Sequence, residues 1–130
     1  MSAMKELTRA EEQIMQIIWK LERAFVKDIV ENIQDPKPAY NTVSTIVRIL
    51  EKKGVVSHKA YGNTHEYFPL ITKDEYKKKF MKSFLRRYFG GSFPEMVSFF
   101  AGDRDLSLQE LEEIRRRLNE EIESQKRDKK

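Results

Sequence analysis

Apolar residues recur at helical spacing along most of this chain, interrupted by short β-prone runs in its middle. In residues 38–54 they fall at i, i+3, i+4 and i+7, the stripe that a helix buries. The residues of this stripe are Val43, Ile46, Val47 and Leu50. The opposite face carries small hydrogen-bonding side chains first and basic side chains further along, from Asn41 to Lys52. An ordinary surface helix and a helix that reads DNA both fit this pattern, so the flanking segments have to decide.

The segment before this helix predicts two further helices. Thr8 and Glu11 form a capping box, which opens a helix that ends near Glu22. Trp19 lies on the apolar side of that helix and is interpreted as an anchor in a core or an interface. The short apolar run at residues 24–26 predicts a brief strand, and a second helix follows over about residues 27–33. Two prolines then break the chain at residues 36 and 38 before the third helix begins.

A β-hairpin is predicted directly after the third helix. Gly62 and Asn63 separate two β-prone runs, as the central residues of a two-residue hairpin turn do. With that turn, Lys59 lies opposite Glu66, His58 opposite Tyr67, and Ala60 opposite His65. The pair of opposite charges supports this register.

The order helix, short strand, helix, turn, helix and hairpin is that of a winged helix-turn-helix. The predicted fold class is therefore mainly α with a small β-hairpin. Within this order, Ser44 and Thr45 are predicted to contact bases. Basic residues past the reading end, Arg48, Lys52 and Lys53, are predicted to contact phosphates. The wing residues Lys59, Tyr61 and Asn63 suit a backbone or minor-groove contact, and Tyr40 either packs under the reading helix or reaches a phosphate.

Three more helices are predicted after the hairpin. Capping boxes at Thr72 and Ser107 open two of them, and Pro94 opens a short one over residues 95–100. Their narrow apolar stripes suit a seam between helices, so we expect two chains to exchange them in a two-fold dimer. The stripe residues are Tyr76, Phe80, Phe84, Tyr88, Leu111, Ile114, Leu118 and Ile122. The alternative is a monomer that folds this tail back on the first domain. The predicted domains are a DNA-binding domain (residues 1–71) and a helical dimerisation domain (residues 72–130).

Composition narrows the class of protein. The 130 residues are 39% hydrophobic, which suits one domain or a small domain with an association segment. There is no run of 18 apolar residues and no signal-peptide pattern, so we expect a cytoplasmic protein without membrane insertion. The net charge of +4 divides into +1 for residues 1–70, +4 for residues 71–101 and −1 for residues 102–130. The positive excess lies outside the segment that is predicted to read DNA, so net charge alone is no argument for nucleic acid.

Catalytic chemistry finds little support in the sequence. No nucleophile–base spacing and no phosphate loop is present, so we do not expect an enzyme or a cofactor. The absence of Cys removes disulfides, Cys-based metal sites and thiol catalysis. His58 and His65 point to one face of the hairpin, but no third ligand is evident, so no metal site is expected.

Four segments closely resemble the BlaI/MecI family of penicillinase-type repressors: ELTRAEEQIMQIIW (residues 6–19), VKDIVENI (26–33), PAYNTVSTIVRILEKKG (38–54) and HKAYGNTHEYFPL (58–70). The resemblance implies a dimeric repressor that binds a dyad operator with TACA/TGTA-like half-sites. It also implies that Asn41, Thr42, Ser44 and Thr45 read bases and that Arg48 lies on the phosphate side. The family's penicillinase repressors carry basic residues at the positions of Asn41 and Ser44. This chain lacks them, so its preferred bases stay open, and its phosphate contacts are expected to be weaker. The family's copper-responsive branch uses a Cys-rich motif, which this chain lacks.

The resemblance also implies a route of release. Family members are often released when a transmembrane sensor-protease leads to cleavage in the dimer region. The matching segment here is Ser98-Phe99-Phe100, which lacks the family's Asn-Phe pair. Release by cleavage and release by another route therefore both stay open. The main alternative to a specific DNA-binding repressor is a winged-helix module that binds a protein.

Overall fold

A computed structural model describes residues 6–129 of the chain. The described residues form six helices and three strands, and all of the strands lie between residues 24 and 69. In chain order the elements are α1 (Arg9–Leu21), β1 (Ala24–Phe25), α2 (Val26–Glu31), α3 (Tyr40–Lys52), β2 (Val56–Tyr61), β3 (Thr64–Pro69), α4 (Lys73–Phe89), α5 (Phe93–Gly102) and α6 (Leu108–Asp128). The chain divides into two compact units, which we call the N-terminal unit (residues 1–81) and the C-terminal unit (residues 82–130).

The N-terminal unit is built around one hydrophobic core. Helices α1, α2 and α3 and the sheet all contribute to it. The predicted stripe of α3 is buried as expected, with Val43, Val47 and Leu50 completely covered and Ile46 half-buried. The other buried members are Ile14, Met15, Ile18, Ala24, Val26, Ile29, Ile33, Val55, Val56 and Tyr67. Because the apolar side of α3 faces this core, its polar and basic side faces outward.

The sheet has three antiparallel strands in the order β1-β3-β2. Strands β2 and β3 pair in the predicted register, with Lys59 opposite Glu66. Gly62 has φ +62°, a conformation that glycine adopts readily and that the first central residue of a tight hairpin turn requires. Strand β1 pairs with β3 through residues 24 and 25, so the hairpin is tied to the start of α2. The predicted winged helix-turn-helix fold is thereby confirmed.

The helix starts follow the capping signals. Thr8 and Glu11 exchange both hydrogen bonds of the predicted capping box, at 3.0 and 3.2 Å. The boxes at Thr72 and Ser107 are formed in the same way. Helix α2 begins one residue earlier than predicted, at Val26, because the carboxylate of Asp28 accepts the Phe25 N–H at 2.9 Å. That bond is the half of a capping box that the N3 residue supplies, while the N-cap residue Phe25 has no side-chain cap hydrogen bond of its own.

The boundary between the two units lies inside α4, later than the boundary predicted at residue 71. The first turn of α4 packs on α1, where the ring centroids of Tyr76 and Trp19 are 5.6 Å apart. The indole N–H of Trp19 donates to the Ile71 carbonyl at 2.8 Å, and the Tyr76 hydroxyl donates to Glu12 at 3.3 Å. Burial raises the pKa of the Tyr76 phenol, and the Glu12 carboxylate adds to that shift. Trp19 is thus a packing anchor, as predicted.

The C-terminal unit comprises the second half of α4 together with α5 and α6. Helix α5 starts at Phe93, with Ser92 as its N-cap, and is longer than predicted from Pro94 alone. Leu85 of α4 is buried, but no described residue of α5 or α6 is. This unit therefore leaves most of its apolar side chains partly or largely exposed.

Candidate nucleic-acid interface

The outward face of α3 is the first part of the candidate interface. Asn41, Thr42 and Thr45 are exposed, and Ser44 is partly exposed. Tyr40, the first residue of the helix, is 53% exposed. The structure thus brings the predicted base readers together on the first turns of one helix, with their polar groups facing outward.

Two hydrogen bonds within α3 decide which polar atoms this face offers. The Thr45 hydroxyl donates to the Asn41 carbonyl at 2.9 Å, so its proton is used inside the helix. Its oxygen remains an acceptor, and its methyl group remains an apolar contact. The Arg48 guanidinium donates to the Ser44 hydroxyl oxygen at 3.1 Å, which leaves the Ser44 proton and most Arg48 donors available. Thr45 therefore presents an acceptor and a methyl group on this face, whereas Ser44 presents a hydroxyl proton.

The two lysines at the end of α3 have different environments. Lys52 is exposed. Lys53 forms an ion pair with Glu11, and its ammonium also donates to the Glu6 carbonyl at 3.3 Å. Burial opposes ionisation of Glu11, but hydrogen bonds from Lys53 and Thr8 outweigh it and lower the pKa of this carboxyl group. Lys53 therefore holds α3 to α1, which differs from the phosphate contact predicted for it.

The wing tip places its polar and aromatic groups side by side. The Lys59 ammonium lies 5.3 Å from the centroid of the Tyr61 ring, which itself lies 5.9 Å from that of Phe25. Tyr61 is 45% exposed, and Asn63 is exposed in the turn. The wing thus offers a cation, a phenol and an amide to a partner.

A polar clasp connects the wing to α3. Nδ1 of His58 lies 2.7 Å from a carboxylate oxygen of Glu51, in the last turn of α3. The rings of His58 and His65 stack with centroids 4.0 Å apart, so both histidines share one face as predicted. Among residues 6–129, no group of three His, Asp or Glu side chains is placed to hold a metal ion.

The clasp was not found by sequence reasoning. No periodicity signals such a contact, because its two residues lie on different elements.

The residues that were predicted to form the dimer interface differ in how far the chain itself covers them. Tyr76 is buried against Trp19 in the N-terminal unit, so its interface assignment is corrected: its ring is covered within the chain. Phe80 and Phe84 are half-buried, and Tyr88 is 67% exposed. On α6, Leu111 and Ile114 are half-buried, while Leu118 and Ile122 are 57% and 49% exposed.

An aromatic groove accompanies these stripes in the C-terminal unit. Its volume is about 750 Å³, and its walls include the predicted cleavage residues Ser98, Phe99 and Phe100. The Phe99 ring meets the Phe89 ring edge to face at 5.7 Å. The three predicted cleavage residues all lie within helix α5.

The chain is thus a winged helix-turn-helix protein, in which a helical unit with exposed apolar stripes follows the winged unit. The sequence pattern of the penicillinase repressor family matches residues 7–120, so the chain belongs to that family, which is one of repressors and not of enzymes. Among the helices of residues 6–129, none has the length and apolar character needed to cross a membrane.

Relatives match along almost the whole chain. The methicillin resistance regulatory protein MecI of Staphylococcus aureus (strain N315) is 34% identical over 115 residues, which are 88% of this chain and 94% of MecI. The penicillinase repressor of Bacillus licheniformis is 27% identical over 121 residues, 92% of this chain and 94% of that repressor. The solution structure of the DNA binding domain of the repressor BlaI covers 58% of this chain and 94% of its own, with 25% identity and a TM-score of 0.50. The resemblance to the BlaI/MecI family is thereby confirmed.

Proposed function

We propose that this chain is a dimeric repressor that binds a palindromic operator in double-stranded DNA. The observation that carries this proposal is the outward face of α3, with small polar groups at its N-terminal end and exposed cations further along. The BlaI structure, which is similar in fold and sequence, is that of a DNA-binding domain, and the relatives are repressors or a resistance regulator. A repressor of this type acts by occupying a promoter.

The first turns of α3 are proposed to read base edges in the major groove. Asn41, Thr42, Ser44 and Thr45 are the reading residues in this proposal. Because the Thr45 proton is bonded to the Asn41 carbonyl, Thr45 has an acceptor oxygen and a methyl group to offer. These suit an exocyclic amine or a thymine methyl. Ser44 keeps its proton and suits an acceptor such as a purine N7.

Backbone contacts are proposed for Arg48 and Lys52 on α3 and for Lys59, Tyr61 and Asn63 on the wing. Tyr40 is exposed at the start of α3, which favours a phosphate contact over packing. Lys53 is left out of this set because its ammonium is paired with Glu11. Few cations remain, and residues 1–70 have a net charge of only +1, so one DNA-binding unit alone should bind weakly.

A two-fold dimer would supply the second DNA-binding unit. The support for it is the exposed apolar surface of the C-terminal unit, in which Tyr88, Phe99, Leu118 and Ile122 are each about half exposed or more. Large apolar side chains left this exposed are typical of an interaction site. Two linked reading helices gain affinity through effective concentration, which compensates for a weak single unit. Half-sites would then be about 34–36 Å or a multiple of that distance apart.

Release from DNA is proposed to occur either by cleavage at Ser98-Phe99-Phe100, after a signal from a sensor-protease, or by another route. The segment is helical and Phe99 packs on Phe89, so α5 would have to open locally before a protease could bind it. Susceptibility to cleavage should therefore follow the stability of α5.

A gel-shift titration tests the DNA-binding proposal. Dyad DNA with TACA/TGTA-like half-sites should bind about 10³-fold or more tightly than scrambled DNA, and the affinity should fall steeply with salt. Thr45→Ala should reduce the preference for the dyad. Arg48→Ala should weaken binding to both DNAs equally and reduce the slope of log affinity against log salt by about 0.9. Equal binding of the wild-type chain to both DNAs would refute specific reading, and salt-insensitive binding to a protein alone would favour an interaction module.

A further inference from the structure

The turn between α2 and α3 contains few backbone hydrogen bonds. Within the described residues, no backbone N–H from Gln34 to Asn41 donates to a backbone carbonyl. A side chain supplies the missing connection. The Lys37 ammonium donates to the carbonyl oxygens of Ile33 at 2.8 Å, Glu31 at 3.0 Å and Val30 at 3.5 Å. A lysine ammonium has three protons, so it can donate to all three carbonyls, of which Ile33 and Glu31 are the nearest.

The position of these carbonyls explains why a cation suits them. They belong to the end of α2 and the residues just after it. The Val30 carbonyl also accepts from the Ile33 N–H at 3.2 Å, whereas within the described residues no backbone N–H outside the regular elements donates to the Glu31 or Ile33 carbonyl, as is usual past the last turn of a helix. The end of a helix also carries partial negative charge, which a cation complements. Lys37 thus closes the C-terminal end of the first helix of the reading motif.

The backbone on either side of Lys37 is stiff. Pro36 and Pro38 have fixed φ angles, and a residue that precedes proline is kept out of the helical region. With so few free dihedrals, one additional anchor is enough to set the direction in which the chain leaves α2. The Lys37 ammonium provides that anchor four residues after Ile33.

Helix α3 depends on this turn because its own start lacks a side-chain cap. Its N-cap is Ala39, which has no side-chain hydrogen bond, and the first bonds of α3 run from Thr42 and Val43 to the Ala39 carbonyl at 3.1 and 3.2 Å. The proposed base readers begin at Asn41, directly after this uncapped start. A change in the turn would therefore be felt first where bases are read.

We propose that Lys37 is a positioning residue of the reading motif, whose ammonium holds the α2–α3 turn and orients the first turn of α3. A cation just ahead of a reading helix would ordinarily be assigned to a DNA phosphate. The three carbonyl contacts assign it to the protein. The DNA part of this inference rests on the proposed function, but the holding of the turn does not.

Three variants separate the two roles in DNA titrations over a range of salt concentrations. Lys37→Met keeps the aliphatic stem and removes the ammonium, and it should weaken dyad binding about three- to tenfold. Binding to scrambled DNA and the salt slope should stay unchanged, because no phosphate contact is lost. Lys37→Arg can still donate to several carbonyls and should restore dyad binding. The control Lys52→Met should weaken binding to dyad DNA and to scrambled DNA equally, and it should lower the salt slope by about 0.9.

Amide hydrogen exchange without DNA provides the independent readout. In Lys37→Met, the Thr42 and Val43 amides should exchange faster, while Leu50 in the core part of α3 should keep its wild-type rate. Unchanged exchange, or a salt slope that falls by about 0.9 in Lys37→Met, would overturn the inference. Faster exchange in a protein whose wild type does not prefer the dyad would refute the proposed DNA function and leave the positioning role standing.

Discussion

The two units of this chain use similar apolar periodicity with opposite results. In the N-terminal unit, Ile18 of α1 and Leu50 of α3 have no exposed surface. In the C-terminal unit, Leu118 and Ile122 lie on an equally regular stripe of α6 but are 57% and 49% exposed. The first unit surrounds its stripes with three helices and a sheet, whereas the second has too few elements to cover its own.

Charge differs between the units in a similar way. The carboxylate of Glu11 is buried and paired with Lys53, which lies 42 residues away in sequence and on another helix. On α6, Glu113 pairs with Arg116 and Arg117 at helical spacing on the outer surface. Hydrogen bonds from these two arginines lower the pKa of Glu113 to about 2. One unit uses ions to join elements, and the other uses them along the polar face of a single helix.

The largest expected effect is on the free energy of unfolding, when an apolar side chain is shortened in each of the two units. Ile18→Ala removes fully buried atoms and should lower the free energy of unfolding of the N-terminal unit by about 2–5 kcal/mol. Ile122→Ala removes half-exposed atoms of the other unit and should leave that transition nearly unchanged. Trp19 is the only tryptophan and lies in the N-terminal unit, so its fluorescence during urea unfolding reports on that unit alone. If Ile18→Ala and Ile122→Ala lost the same free energy of unfolding at the same protein concentration, the two units would unfold together.

Sequence patterns were sufficient for the fold of the N-terminal unit because its signals are local. The Gly62-Asn63 turn has a fixed length, and turn length determines the register of every pair in the hairpin. Helix starts were equally accessible, since a capping box such as Thr8 with Glu11 is complete within four residues. The pairing of β1 with β3 was not predicted, because it joins segments about 40 residues apart.

The candidate site was only partly predictable for the same reason. Periodicity identifies the face of a helix but not the element that covers it. It therefore grouped Tyr76 with Tyr88, although the first is buried against Trp19 and the second is 67% exposed. It also grouped Lys53 with Lys52. The ion pair that distinguishes Lys53 is formed with Glu11, which is distant in sequence, so periodicity does not reveal it.

The second prediction tests whether a partner chain covers the stripe of α6. Leu118→Asp places a charge in the proposed seam and should weaken dimerisation by about 100-fold, or ~2.7 kcal/mol. Sedimentation at micromolar concentration should then return a species near 15.5 kDa, where the wild type returns twice that mass. Asn119→Asp adds the same charge next to the stripe and should leave the dimer intact. A wild-type monomer at this concentration would contradict the seam itself.

The smallest expected effect concerns the buried ion pair and its pH dependence. Glu11→Gln removes the charge that pairs with Lys53 and should lower the free energy of unfolding by about 1–2 kcal/mol at neutral pH. Because folding lowers the pKa of Glu11, its stabilisation is present above the unfolded pKa and is lost as pH falls through the lower folded pKa. Wild type and variant should therefore converge in acid, as followed by Trp19 fluorescence.

Two controls sharpen this last comparison between the units. Glu31→Gln makes the same chemical change at an exposed position of α2 and should leave unfolding of the N-terminal unit unchanged. Glu113→Gln removes the carboxylate that pairs with Arg116 and Arg117 on α6. Exposed ion pairs contribute little to stability, so the thermal unfolding of the whole chain, followed by circular dichroism, should hardly change. If Glu113→Gln proved as costly as Glu11→Gln, these ion pairs would have to be covered in the assembled protein, and the polar face of α6 would belong to an interface.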